Sequence, residues 1–208
     1  DDVVHWLSLQ NKMEQRKNLI HPGSLILFLL LAGITALFLA FGAAYIYVRV
    51  TKGGIPMQVP SLFYFNTIII IAGSITLEYA RQRFETDETR MMLTGLILTL
   101  LLSLGFLIMQ FVAFWKMLSE NIFPSSGNPA AFLYLITGLH FLHLVAGLPF
   151  LSVFTFRAFK KTREQVQELL FLSDPDQSRK LRLIGFYWHF LAVLWIMLLI
   201  FFILNHTV

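Results

Sequence analysis

Residues 91–115, MMLTGLILTLLLSLGFLIMQFVAFW, contain no Asp, Glu, Lys or Arg. A helix needs about 20 apolar residues to cross roughly 30 Å of hydrocarbon, so this stretch is long enough to span a membrane. Four more stretches share the signature: Ser24–Val48, Gly53–Leu77, Asn121–Phe156 and Leu183–Val208. None is long enough for two spans and a loop. Pro56 and Pro60 place the start of the second helix near Ser61, and Pro124 and Pro129 place that of the fourth near Ala130. The runs are continuously apolar and do not alternate with period two, which excludes a transmembrane β-barrel. The sequence therefore predicts an all-α membrane protein with a bundle of five transmembrane helices. The spans fall near 24–49, 61–81, 90–117, 130–157 and 181–205, after an N-terminal segment of residues 1–20.

Composition agrees. Of the 208 residues, 57% are hydrophobic and 13% charged, against roughly a quarter charged in a soluble chain. There is no Cys, which removes disulfides, thiolate metal sites, iron–sulfur clusters and cysteine nucleophiles. The positions of the basic residues explain the net charge of +4. Lys12, Arg16 and Lys17 precede the first span, and Arg81, Arg83 and Arg90 lie between the second and third. Arg157, Lys160, Lys161, Arg163, Arg179, Lys180 and Arg182 lie between the fourth and fifth. Only Arg49, Lys52 and Lys116 fall on the other side. Positive residues stay inside, so the N-terminus is expected in the cytoplasm and the C-terminus outside. No nucleic-acid partner is needed to explain the charge. Between the last two spans, Asp174-Pro175-Asp176-Gln177 reads as a helix start, with Asp174 as N-cap and Gln177 closing a capping box.

Polar residues inside a span each need a reason. His140, His143 and Gly147 share one stripe of the fourth helix, which reads as a tight helix contact with polar cross-links. The fifth span carries Tyr187, Trp188 and His189, with Trp195 roughly continuing the His189 face. Asn66, Thr67, Ser74, Thr76 and Glu78 lie on the second, and Gln110 on the third. Three membrane histidines invite a haem or metal reading, and depth opposes it. His143 is expected about 20 Å from the outer end and His189 about 9 Å from the inner end of a roughly 30 Å core. Packing histidines are expected instead. Glu78 has two readings, an interfacial partner for Arg81 at helical spacing or a proton-relay carboxylate.

Two motifs carry a resemblance. Residues 138–147, GLHFLHLVAG, and Tyr187-Trp188-His189-Phe190 followed by Trp195 are similar to the signatures of subunit III of haem–copper terminal oxidases, in its five-helix form. Asn66-Thr67, Ser74-Ile75-Thr76, Gln110 and residues 44–49 support it in order and spacing, from about His21 to Leu204. There are departures. Ala192 stands where the family usually has Asp, apolar residues surround Thr35 where many members are acidic, and Arg182 and Leu183 occupy a position often carboxylate. Glu78 stands where a neutral residue is expected.

The resemblance to cytochrome c oxidase subunit III implies a chain with no redox centre and no catalytic, cofactor or metal residue of its own. Haems and copper would belong to partner subunits I and II, with a small subunit IV as a further candidate, and a respiratory supercomplex as a wider setting. Bound phospholipid, support of proton uptake and a bacterial plasma membrane follow as expectations. Under it, Asn66, Thr67, Glu78, Gln110, His140, His143, Gly147, Tyr187, Trp188, His189 and Trp195 serve packing, lipid or subunit contacts. The rivals are an accessory subunit of a nitric oxide reductase or a quinol oxidase, and an autonomous membrane cytochrome or carrier using the three histidines.

Overall fold

A computed structural model of the chain describes residues 22–52, 60–125 and 127–207. The expected N-terminal segment 1–20 and its basic residues lie outside the described residues. Among the described residues six helices follow in order: α1 (Pro22–Lys52), α2 (Leu62–Glu85), α3 (Thr89–Ser119), α4 (Asn128–Lys161), α5 (Gln165–Leu172) and α6 (Pro175–Thr207). All except α5 are long and apolar enough to cross a membrane. The chain is a multi-pass membrane protein with no strand among the described residues. The helices run past the expected spans because their ends are polar and need no lipid.

The described residues divide into two compact units, with the boundary inside α1 between Leu37 and Phe38. In the first unit, Thr35 returns its hydroxyl to the Leu31 carbonyl at 2.8 Å, and Leu25, Ile26 and Phe28 are exposed. All packing below belongs to the second unit.

α2 and α3 meet through a three-residue turn. Asp87 takes a left-handed φ of 57°, and the amide of Glu88 returns to the Arg83 carbonyl at 3.0 Å. Asn121 does the same after α3, with φ 59° and Ile122 bonded to the Met117 carbonyl at 3.0 Å. Both are Schellman endings, which satisfy carbonyls that the helix leaves open. Along the α2–α3 seam small residues bring the backbones together. A Cβ on Gly95 would lie 2.9 Å from the Ala80 Cβ and 3.1 Å from the Thr76 carbonyl oxygen. One turn on, Thr76 and Thr99 share a hydroxyl bond of 2.9 Å.

α5 closes one end of the bundle. Its Phe171 is buried edge-on to Phe84 of α2 and near Phe154 of α4. This end also carries Arg81, Arg83, Arg90 and the basic residues of 157–182, and is called the basic end below. At the opposite end, Tyr45 of α1 packs against Phe132, Phe201 and Phe202, and Arg49 donates to the Asn205 side chain at 3.1 Å.

Asp174 caps α6 as its sequence predicts, but the reciprocal half of the capping box differs. The Asp176 amide donates to one Asp174 carboxylate oxygen at 2.9 Å, and the Gln177 side chain donates to the other at 3.0 Å. Gln177 thus holds the capping carboxylate and leaves the cap's own amide alone. A carboxylate accepts a second donor more readily than it shares one with a carbonyl-type side chain, and these two bonds lower the Asp174 pKa below the usual carboxylate range.

Candidate functional site: two histidine environments

The small and aromatic residues of α4 and α6 interlock. Gly147 faces Tyr187 and Trp188, and an added Cβ would come within 2.5 Å of the Tyr187 ring. That approach lets the Tyr187 hydroxyl donate to the His143 backbone carbonyl at 2.7 Å. Trp188, almost fully buried, donates from its indole nitrogen to Ser103 of α3 at 3.2 Å. Ser103 passes its own hydroxyl to the Thr99 carbonyl at 2.7 Å. Each intramembrane polar group here is answered inside the bundle, as low dielectric requires.

Deeper in the bundle lies an aromatic box. His140 of α4 has no exposed surface. Its ring sits 5.1 Å from the Trp195 ring and 5.8 Å from that of Phe106, which itself stands edge-on to Trp195 at 5.0 Å. Phe63 of α2 closes the box at 5.3 Å from Trp195. The Trp195 indole donates to the Thr67 hydroxyl at 3.0 Å. Asn66 donates to the Gln110 side-chain oxygen at 2.8 Å, tying α2 to α3. Neither ring nitrogen of His140 has a hydrogen-bond partner, and the Asn66 Oδ1 and Gln110 Nε2 atoms are left open as well.

The cross-links expected from the His140 and His143 rings to another helix are therefore not formed among the described residues. His143 bonds through Nδ1 to Leu139 of its own helix at 2.7 Å and packs against Phe38. The close approach in this stripe is at Gly147, and the cross-link runs from Tyr187 to the His143 backbone carbonyl. Ring rotation decides this: the aromatic neighbours of His140 offer faces and edges where a polar partner would need a lone pair.

His189 lives differently. Its Nδ1 lies 2.5 Å from the Ser74 hydroxyl and its Nε2 is 3.5 Å from Glu78 Oε2. Thr67, Thr99, Ser103, Thr137 and Thr155 all return their hydroxyls to the carbonyl four residues back. Ser74 instead faces across to His189. Glu78 takes two donors from Arg81, at 2.9 and 2.7 Å, and Arg81 also reaches Glu85 at 2.6 Å. The interfacial pairing of Glu78 with Arg81 is thus present, and His189 extends it into a chain from Glu85 to Ser74. Ser74, Glu78 and His189, together with Ile75, Tyr79 and Gln82, line an open cleft of about 380 Å³. Sequence reasoning named Ser74, Glu78 and His189 without joining them. The four-residue spacing of Ser74 and Glu78, which puts both on one helix face, is the signal that pointed to a shared partner.

A haem or a multidentate metal fits these residues poorly. Trp195 lies six residues beyond His189 on α6, about 9 Å at 1.5 Å per residue, so the His140 box and the His189 cleft occupy different levels. The rings of Phe106 and Trp195 pack against the fully buried His140 ring, and among the described residues no three His, Asp or Glu side chains converge.

Fold and interior together define a multi-pass helical membrane protein whose helices are tied by the Asn66–Gln110, Ser74–His189, Trp188–Ser103 and Trp195–Thr67 bonds. The sequence profile of cytochrome c oxidase subunit III matches residues 34–206, and the chain belongs to that family. Among its relatives, the cytochrome bo(3) ubiquinol oxidase subunit 3 of Buchnera aphidicola is 25% identical over 150 residues, covering 71% of this chain and 73% of its own length. The probable cytochrome c oxidase subunit 3 of Rickettsia felis is 28% identical over 146 residues, covering 70% of this chain and 48% of its own length. The Danio rerio cytochrome c oxidase subunit 3 is 26% identical over 146 residues. The chain thus spans about half the length of these cytochrome c oxidase relatives, 48% and 49%. Membership places it among subunits that associate with other oxidase subunits.

Proposed function

We propose that the chain is the non-redox accessory subunit III of a proton-pumping haem–copper terminal oxidase in a bacterial plasma membrane. Its N-terminus lies in the cytoplasm, its C-terminus outside, and the basic end faces the cytoplasm. The family match over residues 34–206, nearly the whole helical bundle, carries the reading. In the assembly, haems and copper held by subunits I and II transfer electrons to oxygen. This chain packs against subunit I, retains phospholipid and steadies proton uptake. The bacterial relatives support the location, and the arginine-rich basic end supports the orientation.

The residues described above suit that role. The aromatic box and the Gly147 contact make a rigid, dry bundle that can brace a neighbour without shifting its own helices. The Ser74–His189–Glu78–Arg81 chain keeps its charges paired near the basic end, where an uncompensated carboxylate would otherwise disturb proton uptake by the partner.

Cytochrome c is the proposed electron donor. A quinol donor is the second reading, favoured by one observation: the quinol-oxidase relative is matched over 73% of its length, against about half for the cytochrome c oxidase relatives. Affinity purification in mild detergent tests both levels. The tagged chain should bring down haem-containing subunits and show no Soret band when isolated from them. Stoichiometric haem in the isolated chain would overturn the accessory reading. Oxygen consumption by the complex with reduced cytochrome c, compared with ubiquinol, decides the donor.

A further inference from the structure

The open cleft between α2 and α6 has bonding capacity that the bundle leaves unspent. A paired carboxylate such as Glu78 only accepts, so the His189 nitrogen facing it, Nε2, carries the ring proton. Nδ1 then accepts from the Ser74 hydroxyl. The Nε2 to Oε2 distance of 3.5 Å exceeds the range of an ordinary N–H···O bond, about 2.7–3.2 Å. A donor and an acceptor thus stand side by side in the cleft, each able to take one more partner. One hydroxyl group answers both, accepting from Nε2 and donating to Oε2.

The rest of the cleft says what should carry that hydroxyl. Tyr79 is a preset wall: its hydroxyl donates to the Met91 sulfur at 3.2 Å, and the Arg83 guanidinium lies 4.9 Å from its ring centre. Ile75 forms the other wall and is exposed, and exposed Ile71 and Ile68 continue its stripe along α2. Seven residues separate Ile75 from Ile68, so the stripe leads about 10 Å from the cleft into the span. A phosphate head is disfavoured. Glu78 and Glu85 share one guanidinium, that of Arg81, and no Lys or Arg lines the cleft. At about 380 Å³ the cleft is near the small end of ligand sites, about 300–1,000 Å³, with room for one substituted ring. An uncharged ring hydroxyl with a single apolar tail meets all of these conditions.

We propose that this cleft binds a quinol dissolved in the membrane, one ring hydroxyl between His189 and Glu78, the ring against Tyr79 and the tail along Ile75, Ile71 and Ile68. The oxidised quinone fits less well, because its carbonyl accepts from Nε2 but has no proton to give to Glu78. Binding here involves no electron transfer by this chain. It goes beyond the accessory role proposed above and stands whichever donor the assembly oxidises.

Anaerobic nanodiscs holding the full chain, loaded separately with ubiquinol, ubiquinone or dioleoylglycerol, test it. The chain is captured in mild detergent and the retained compound is quantified by chromatography. Ubiquinol should be retained about tenfold better than ubiquinone, the worth of one hydrogen bond to a carboxylate. Glu78→Gln should erase that preference, since an amide donates to a carbonyl as readily as it accepts from a hydroxyl. Ile75→Trp should lower retention of ubiquinol by filling the cleft without touching its hydrogen bonds. Ile108→Trp, on the exposed face of α3, should leave it unchanged. Equal retention of ubiquinol and ubiquinone by the native chain would overturn the proposal, as would unaltered ubiquinol retention in Ile75→Trp. Retention of dioleoylglycerol at the level of ubiquinol would overturn the quinol in favour of any uncharged hydroxyl lipid. Co-purification of haem-containing partners by these variants, read on the same samples, reports separately on the accessory role.

Discussion

His140 and His189 are one residue type on two helices of one bundle, and their surroundings give them opposite work. His140 is sealed among Phe106 and Trp195, and neither of its nitrogens is bonded. His189 is partly open, its side chain 37% exposed, and touches Ser74 and Glu78 beside a cleft. The dry histidine acts as an aromatic plate that contributes volume. The wet one acts as a polar joint between α2 and α6, linked to an arginine–carboxylate pair. An imidazole in a membrane span therefore says little by itself; the groups its nitrogens meet decide what it does.

The comparison breaks most visibly at Trp195, which belongs to the dry side alone. Trp195→Ala should destabilise the chain by about 3–5 kcal/mol, since it empties the centre of the box and removes the indole donor to the Thr67 hydroxyl oxygen. Thermal unfolding in detergent checks it; a change within about 0.5 kcal/mol, the range of an ordinary surface substitution, would show the box is loosely packed. The two histidines then separate the sites. His189→Phe removes the Ser74 and Glu78 contacts and should lose about 0.5–2 kcal/mol. His140→Phe should be close to neutral or slightly stabilising, because it replaces an unbonded buried polar ring by an apolar one of similar shape. The reverse order would mean that His140 has a polar partner in the assembly.

Glu78→Gln sharpens the wet side. Arg81 keeps Glu85 at 2.6 Å, so assembly, initial turnover and proton pumping of the complex should barely change. Collapse of the initial rate with assembly intact would make Glu78 a proton-relay carboxylate. The smallest effect concerns Asp174, outside the spans. Its pKa is lowered by the Gln177 side chain first and the Asp176 amide second. A carboxyl group held below its unfolded pKa adds stability above the ordinary carboxylate range and loses it as pH falls through the lowered value. The thermal midpoint of the native chain should therefore fall more steeply on acidification than that of Asp174→Asn. Parallel curves would remove Asp174 from the cap.

How much of this was legible in the sequence follows from the same contrast. The five spans were readable because apolarity and length are properties of single segments, and residues 91–115 need no neighbour to be recognised. The helix starts near Ser61 and at Asp174 were readable because proline punctuation and capping are both local. The stripe of His140, His143 and Gly147 was readable as a contact from its spacing. Which group each imidazole meets was not. That depends on how α2, α3 and α6 rotate against α4, which no single segment specifies.

The central claim is that this chain supports an oxidase without carrying its chemistry. The direct measurement is to strip the chain from the purified complex and follow the haem spectrum, initial oxygen consumption and its decay on the same sample. Haem content and initial rate should remain largely intact while turnover decays faster than in the complete complex. Loss of the haem spectrum on removal of this chain would contradict the account.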